Sequence, residues 1–301
     1  MTSAGLRRRV AREAKAAAVG WAFIGPATVV VVGLAAFPAA WAFYISQLKW
    51  NGITPARAIG FRNYAELVND PELMSAIWHT AFYTALFVPT SVILGLLIAL
   101  ALNRKIRFIG VYRTAIFVPF VASAAATGIL ANYIFDPQFG FANNILRSIG
   151  LPAQSFLEDQ RQAMIVIAVM SLWAGLGFTV VVYLAALQDI PKDLVEAARV
   201  DGANTWQTFR HVILPELTPV TVFTSIWQLI GALQLFDLVY TTTRGGPLGA
   251  TKTIVYYLWE QAFRQFRYGY GSAVAYVLFA LTLVITIVLF VYSRHAKVQA
   301  F

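Results

Sequence analysis

The chain has no cysteine among its 301 residues, which removes disulfide frameworks and thiol chemistry from consideration. Histidine is almost as scarce: His79, His211 and His295 fall on different connections, and none forms an HExxH pair or a metal cluster. A phosphate-binding P-loop needs glycine immediately before its lysine. The lysines here follow Ala14, Leu48, Arg104, Pro191, Thr251 and Ala296, so the chain is not its own P-loop ATPase. Charged residues make up only 12%, where soluble domains carry about a quarter. No internal repeat, separate soluble domain or converging acid, base and nucleophile is evident, which argues against a membrane enzyme.

What is present is apolar. Hydrophobic residues make up 59% of the chain and the mean hydropathy is +0.66. A bilayer core of about 30 Å needs about 20 apolar residues in a helix. Six charge-free intervals are long enough: Ala16 to Leu48, Leu73 to Asn103, Thr114 to Phe135, Gln162 to Gln188, Leu217 to Phe236, and Tyr268 to Ser293. Backbone amides in lipid must be satisfied within their own segment, and short alternating stretches are missing, so the spans are helices rather than barrel strands. The expected fold is an all-α polytopic membrane protein with six transmembrane helices, at about 19–44, 77–102, 111–135, 162–188, 217–241 and 270–293.

Arg7, Arg8, Arg9 and Arg12 before the first span, and Ala40-Trp41-Ala42 near its end, imitate a secretory signal. A signal's apolar core is about 7 to 15 residues, whereas this one runs from Val19 to Tyr44, so the segment reads as an uncleaved anchor. Lys and Arg in the short connections favour both termini inside: Lys15, Arg104, Lys105, Arg107, Lys192, Arg199, Arg210, Arg294 and Lys297 join the N-terminal arginines on one side. The net charge of +9 is then a feature of segments next to anionic lipid, and no nucleic-acid partner is implied.

Residues 1–18 form a basic arm, read either as a short helix on the inner surface or as a solvated tail, and 294–301 form a cytoplasmic tail. Pro26 suits the first turn of span one, and Pro38, Pro89 and Pro119 can bend spans one, two and three. The loop from Trp50 to His79 reads as ordered and partly helical, and that from Asp136 to Arg161 as similar. The informative connection is 189–215. Pro191 is pre-set for a first helical turn, Asp193 lies near the positive end of the dipole, and Leu194, Ala197 and Ala198 make one apolar face. Gly202 can adopt a left-handed stop, Asn204 or Thr205 can start a second helix, and Pro215 ends it. This is a stiff helix-turn-helix suited either to docking on a soluble partner or to capping the bundle.

Glu196-Ala197-Ala198, then Asp201-Gly202-Ala203, then Leu214-Pro215, resemble the EAA motif of ABC importer permeases. Phe61-Arg62-Asn63-Tyr64, Tyr112-Arg113 with Pro119, and Phe236-Asp237 through Gly245-Gly246-Pro247 resemble the sugar-type permeases of the maltose and glycerol-3-phosphate group, most of all the glycerol-3-phosphate or glycerophosphodiester permease. The resemblance implies a type I importer permease fold with a cytoplasmic coupling helix between spans four and five. It implies a second permease subunit as heterodimer partner, two ATP-binding subunits, and an extracytoplasmic substrate-binding protein, all in a bacterial inner membrane. No cofactor is expected on this chain, with ATP and Mg held by the partner ATPase. Glu196, Ala197, Ala198, Asp201 and Gly202 become the residues expected to couple the pore to the ATPase.

Polar or aromatic groups at membrane depth are costly in lipid and favour the bundle interior, which makes Asn132, Trp173, Tyr183, Gln228, Gln234 and Asp237 candidates for the solute path, each with interhelical packing as its alternative. Asp237 is expected near the outer surface, paired with Arg244 or loop amides. No Lys or Arg lies deep in any span, and Arg244 is the nearest cation for a phosphorylated solute. Either the partner chain supplies that charge or the solute is neutral. The rival reading, an ion-coupled secondary transporter, usually shows more spans, inverted repeats and interrupted helices carrying acids.

Overall fold

The computed structural model describes residues 3–104 and 107–295. Lys105, Lys297 and residues 296–301 of the expected tail lie outside the described residues. Contacts divide the chain into two units, residues 1–66 with 261–273, and residues 67–260 with 274–301.

In the first unit, α1 (Ser3–Val31), a π-helical turn (Val32–Ala36) and α2 (Phe37–Ser46) follow one another without a gap. The basic arm therefore continues into the first span, because its alanines offer no stop, and Pro26 lies inside α1 rather than in a first turn. The Phe37 N–H bonds back to the Val32 carbonyl, five residues away, and this wider turn leads into Pro38 at the start of α2. A two-residue ladder then pairs β1 (Leu48–Lys49) with β2 (Arg57–Ala58), Leu48 opposite Ala58. Buried Asn63, in α3 (Arg62–Val68), donates to the carbonyls of Ser46 at 2.8 Å and Leu48 at 3.0 Å, and Ser46 Oγ lies 2.8 Å from the Tyr64 hydroxyl. The Phe61-Arg62-Asn63-Tyr64 segment is thus a clamp on the C-terminal end of α2. Arg267 completes the unit, bonding Glu66 and Gln261 and covering the Tyr270 ring at 4.1 Å.

The second unit opens with Asp70, whose carboxylate accepts the N–H groups of Glu72 and Leu73 and caps α4 (Pro71–Leu102). It continues through α5 (Ile109–Val121), α6 (Ala124–Ile134), α7 (Phe141–Ser148), a 3₁₀ turn (Phe156–Glu158) and α8 (Ala163–Asp189). Next come α9 (Lys192–Val200), α10 (Thr205–Thr208), a π segment (Phe209–Ile213), α11 (Leu214–Glu216), α12 (Thr218–Leu233), α13 (Asp237–Thr241) and α14 (Ile254–Trp259). A last π segment (Glu260–Arg264) and α15 (Tyr268–His295) close the described chain. Helix α8 packs along α4, with α5 and α12 on the same pair and α13 on α6. One apolar layer gathers Tyr83, Phe87, Ile167, Met170, Val239 and Tyr256, and a second gathers Ala99, Leu102, Val180, Tyr183, Leu187 and Leu217. Close approach replaces hydrophobic drive in lipid: a Cβ on Gly95 would lie 2.4 Å from a Thr179 methyl, so α4 and α8 meet there only because the side chain is absent.

Four helical runs are long and apolar enough to cross a membrane, Ala17–Ser46, Pro71–Leu102, Ala163–Asp189 and Tyr268–Val291, and two bent pairs raise the number to six. The structure breaks two of the expected spans, one at the first bent pair and one after Leu233. Instead of one helix over 111–135, α5 and α6 meet at 103°. Pro119 lacks the N–H of the last turn of α5, Ala122 and Ser123 are extended, and the Ser123 hydroxyl accepts from the Ala126 N–H to start α6. Instead of one helix over 217–241, α12 stops at Leu233 and α13 starts at Asp237. The Leu235 carbonyl in that gap accepts from the Thr253 hydroxyl at 2.7 Å, and Phe236 wedges beside the rings of Tyr240, Tyr256 and Trp259.

Candidate functional site

The connection between α8 and α12 is built as a fixed corner. Pro191 precedes α9 in extended geometry, Asp193 occupies the first turn and Arg199 the last, each sign matched to the helix dipole. Gly202 has φ +85°, a conformation other L residues adopt only with strain, and the Ala203 N–H returns to the Ala198 carbonyl at 2.9 Å to close the helix end. Asn204 and Gln207 then cap each other reciprocally at 2.9 and 2.8 Å to start α10. Pro215, expected to end this second helix, does not. The preceding π turn brings the Leu214 N–H to the Phe209 carbonyl and lets the helical run continue to Glu216, and the 62° bend falls at Leu217 before α12.

The two sides of α9 differ. Lys192, Val195, Glu196 and Arg199 border a cavity of about 520 Å³ shared with Asn103 and Gln188. Leu194, Ala197, Val200 and Asp201 are exposed at helical spacing, with Val200 at 87% and neighbouring Trp206 at 65%. Ala198 is half-buried, so the outward stripe is Leu194, Ala197 and Val200 rather than the Leu194, Ala197 and Ala198 face expected. Val200 and Trp206 escaped the sequence reading, although large apolar residues beside a glycine turn were the available signal.

The second site lies where the two broken spans meet. A cavity of about 290 Å³ is lined by Ala122, Thr127, Ser171, Gln234, Phe236 and Asp237, among others. The approach of α6 to α13 requires Gly128, where a Cβ would stand 1.9 Å from Thr241 Oγ1. Irregular backbone within a membrane protein is tolerated where it lies against a cavity or other protein groups, and residues of both breaks, Ala122 and Gln234 to Phe236, border this cavity. Thr127 and Ser171, not singled out in the sequence, join Gln234 and Asp237. Their hydroxyls sit on helices as returns to backbone carbonyls, Thr127 to Ser123 at 3.2 Å and Ser171 to Ile167 at 2.8 Å.

The candidate path residues separate accordingly. Tyr183 is fully buried, donating to Thr221 Oγ1 at 3.0 Å, and Gln228 donates from one amide nitrogen to Ser91 and Thr179 hydroxyls, both at 2.7 Å. Both tie α8 and α12 together, so neither faces the cavity. Asn132 is exposed and donates to the Thr241 carbonyl at 3.1 Å, and Trp173 is exposed on α8. Asp237 and Arg244 are both exposed, and no ion pair joins them among the described residues: Arg244 sits at φ +51° in the following turn. The cation that is paired in this loop is Lys252, 2.6 Å from Glu260 and 3.4 Å from Glu72. Burial acts to lower its pKa, but the two carboxylates together outweigh burial and raise it above the ordinary lysine value.

Residues 91–297 match the family described as binding-protein-dependent transport system inner membrane component. The chain belongs to that family. This permease is 34% identical over 284 residues to the lactose transport system permease protein LacF of Rhizobium radiobacter, covering 92% of this chain and 95% of that protein. It is 33% identical over 233 residues to the arabinooligosaccharides transport system permease protein AraP of Bacillus subtilis (strain 168), covering 76% and 74%. Its fold is similar to that in the crystal structure of a bacterial alginate ABC transporter in complex with alginate pentasaccharide-bound periplasmic protein, with TM-score 0.86 at 22% identity, covering 97% of this chain and 99% of that one. The permease is therefore an all-α, multi-pass inner-membrane subunit of an ABC importer, and the ATPase of such a system is a separate subunit. The ion-coupled transporter is not favoured.

Proposed function

We propose that the permease forms half of the translocation path for a sugar, handed over by an extracytoplasmic substrate-binding protein and driven by two partner ATPase subunits that hold ATP and Mg. The observation that carries this reading is the cavity at the two helix breaks, whose polar lining is hydroxyl, amide and carboxylate with no Lys or Arg. Such a set hydrogen-bonds a neutral polyol, and the ring of Phe236 or Phe120 offers an apolar face for a sugar ring. A glycerol phosphate or glycerophosphodiester would meet the Asp237 carboxylate there without a compensating cation on this chain, so that finer reading requires the second permease to supply one. The lactose and arabinooligosaccharide relatives support a neutral solute, whereas a relative named for sulfoquinovosyl glycerol, a sulfonate, is matched to an anionic one.

Loop 189–215 is assigned to coupling. Closure of the ATPase dimer moves a partner surface, and only a stiff attachment carries that motion to α8 and α12. Gly202 and the Asn204 and Gln207 cap supply the stiffness, with Leu194, Ala197, Val200 and Asp201 as the contact stripe and Glu196 and Ala198 on its flanks. This assignment places the loop and both termini on the cytoplasmic side, in keeping with the Lys and Arg bias. The test is ATP hydrolysis by the reconstituted complex with its binding protein, sugars and glycerophosphodiesters compared side by side. Stimulation by a sugar is expected, and stimulation by the phosphodiester alone overturns the neutral-solute reading.

A further inference from the structure

A groove on the α9 to α10 corner is bounded by α4, α9 and α10. It encloses about 630 Å³ over an apolar floor that includes Leu100, Val195 and Phe209, with Trp206 beside it and Arg104 and Arg199 among its lining. Neither arginine is in an ion pair with another described residue. Leu100 lies in the last turn of α4, whose charge-free run gives way to Arg104 just past the helix end, so the groove opens at the depth where acyl chains give way to headgroups. Two guanidinium groups outside any ion pair among the described residues, near an apolar floor, match an amphiphile with a phosphodiester head: the forked donors bind phosphate oxygens, and the floor takes the first methylenes of a chain.

We propose that this groove holds an anionic phospholipid, its phosphate near Arg104 and Arg199, and that the lipid pins the α9 to α10 corner to the membrane surface. The proposal rests on the cytoplasmic placement of loop 189–215. A soluble phosphate would leave the apolar floor uncovered, which favours the lipid as source.

The test uses the complete transporter complex. Native mass spectrometry of detergent-extracted complex, offered equal phosphatidylglycerol and phosphatidylcholine, should show phosphatidylglycerol retained selectively. Arg104→Gln should weaken retention about tenfold, the scale of one lost charge-assisted hydrogen bond, with Arg104→Lys recovering part of it and Arg147→Gln, on an outer loop, changing nothing. In vesicles, binding-protein-stimulated uptake should rise with phosphatidylglycerol content for the unmodified complex and lose that dependence for Arg104→Gln. Equal retention by Arg104→Gln, or displacement of the lipid by inorganic phosphate or soluble glycerol phosphate at matched concentration, overturns the proposal. Topology is checked separately: the chain has no cysteine, so Arg210→Cys is a unique label site. Labelling by an impermeant thiol reagent from outside intact cells sinks the cytoplasmic placement, whatever the lipid result.

Discussion

Replacing Gln228 by leucine separates helix packing from solute contact. The Gln228 amide donates at 2.7 Å to Ser91 Oγ on α4 and at 2.7 Å to Thr179 Oγ1 on α8, so one side chain on α12 holds three helices. Interhelical hydrogen bonds in membranes average about 0.6 kcal/mol each, giving about 1.2 kcal/mol for the pair. Ser91 and Thr179 already lie 3.4 Å apart and retain each other after the change, which trims the loss to about 1 kcal/mol. For a chain of this size that corresponds to a fall in melting temperature of about 2 °C. Thermal unfolding of the detergent-solubilised complex reads this directly, and solute uptake in cells should stay near normal. Adding Thr179→Val to Gln228→Leu should cost less than the two changes summed, by about one hydrogen bond. Lost uptake at an undiminished melting temperature would place Gln228 on the solute path and refute its assignment to packing.

Gln234→Leu should behave in the opposite way, cutting uptake several-fold with little change in melting temperature, because its side chain is exposed at the cavity; unchanged uptake removes it from the path. Gly202→Pro and Glu196→Lys should each abolish transport while the chain still reaches the membrane, read by uptake alongside membrane quantification, and normal uptake by either variant sinks the coupling assignment. Gly128→Leu should force α6 from α13, since even a Cβ would meet Thr241 Oγ1 at 1.9 Å, with uptake lost and Gly128→Ala milder. Lys252 bears on pH. With its folded-state pKa raised, its contribution is complete below the ordinary lysine value of 10.5 and is lost only as pH climbs through the higher folded value. The stability difference between the unmodified chain and Lys252→Met should therefore be flat from about pH 6 to 9, and a step near pH 7 would contradict the ion-pair geometry.

Local chemistry was readable where it is self-contained. The stop at Gly202, the start at Asn204 and the apolar, helical character of the chain depend on neighbours a few residues away, and all three are visible in the row of letters. The two helix breaks were only partly so: Pro119 announces that span three can bend, but neither the size of that turn nor the break before Asp237 is visible. Residues 111–135 are apolar or small almost throughout, so hydropathy runs smoothly across a 103° turn, and the decisive feature is the serine cap at Ser123 rather than the loss of apolar character. At the other break the Leu235 carbonyl is satisfied by Thr253, 18 residues later, a partner that no local pattern announces. Path candidates chosen for polarity alone mixed two kinds of residue. Tyr183 and Gln228 find partners across helices, whereas Gln234 and Asp237 face a cavity, and only the packing distinguishes them.

Ala122 at one break and Gln234 to Phe236 at the other all border the cavity, so the two bends themselves shape its wall. A permease built this way keeps its bends while the few side chains between them, Thr127, Ser171 and Gln234, are exchanged, so one scaffold can be retuned from one sugar to another without rebuilding a helix.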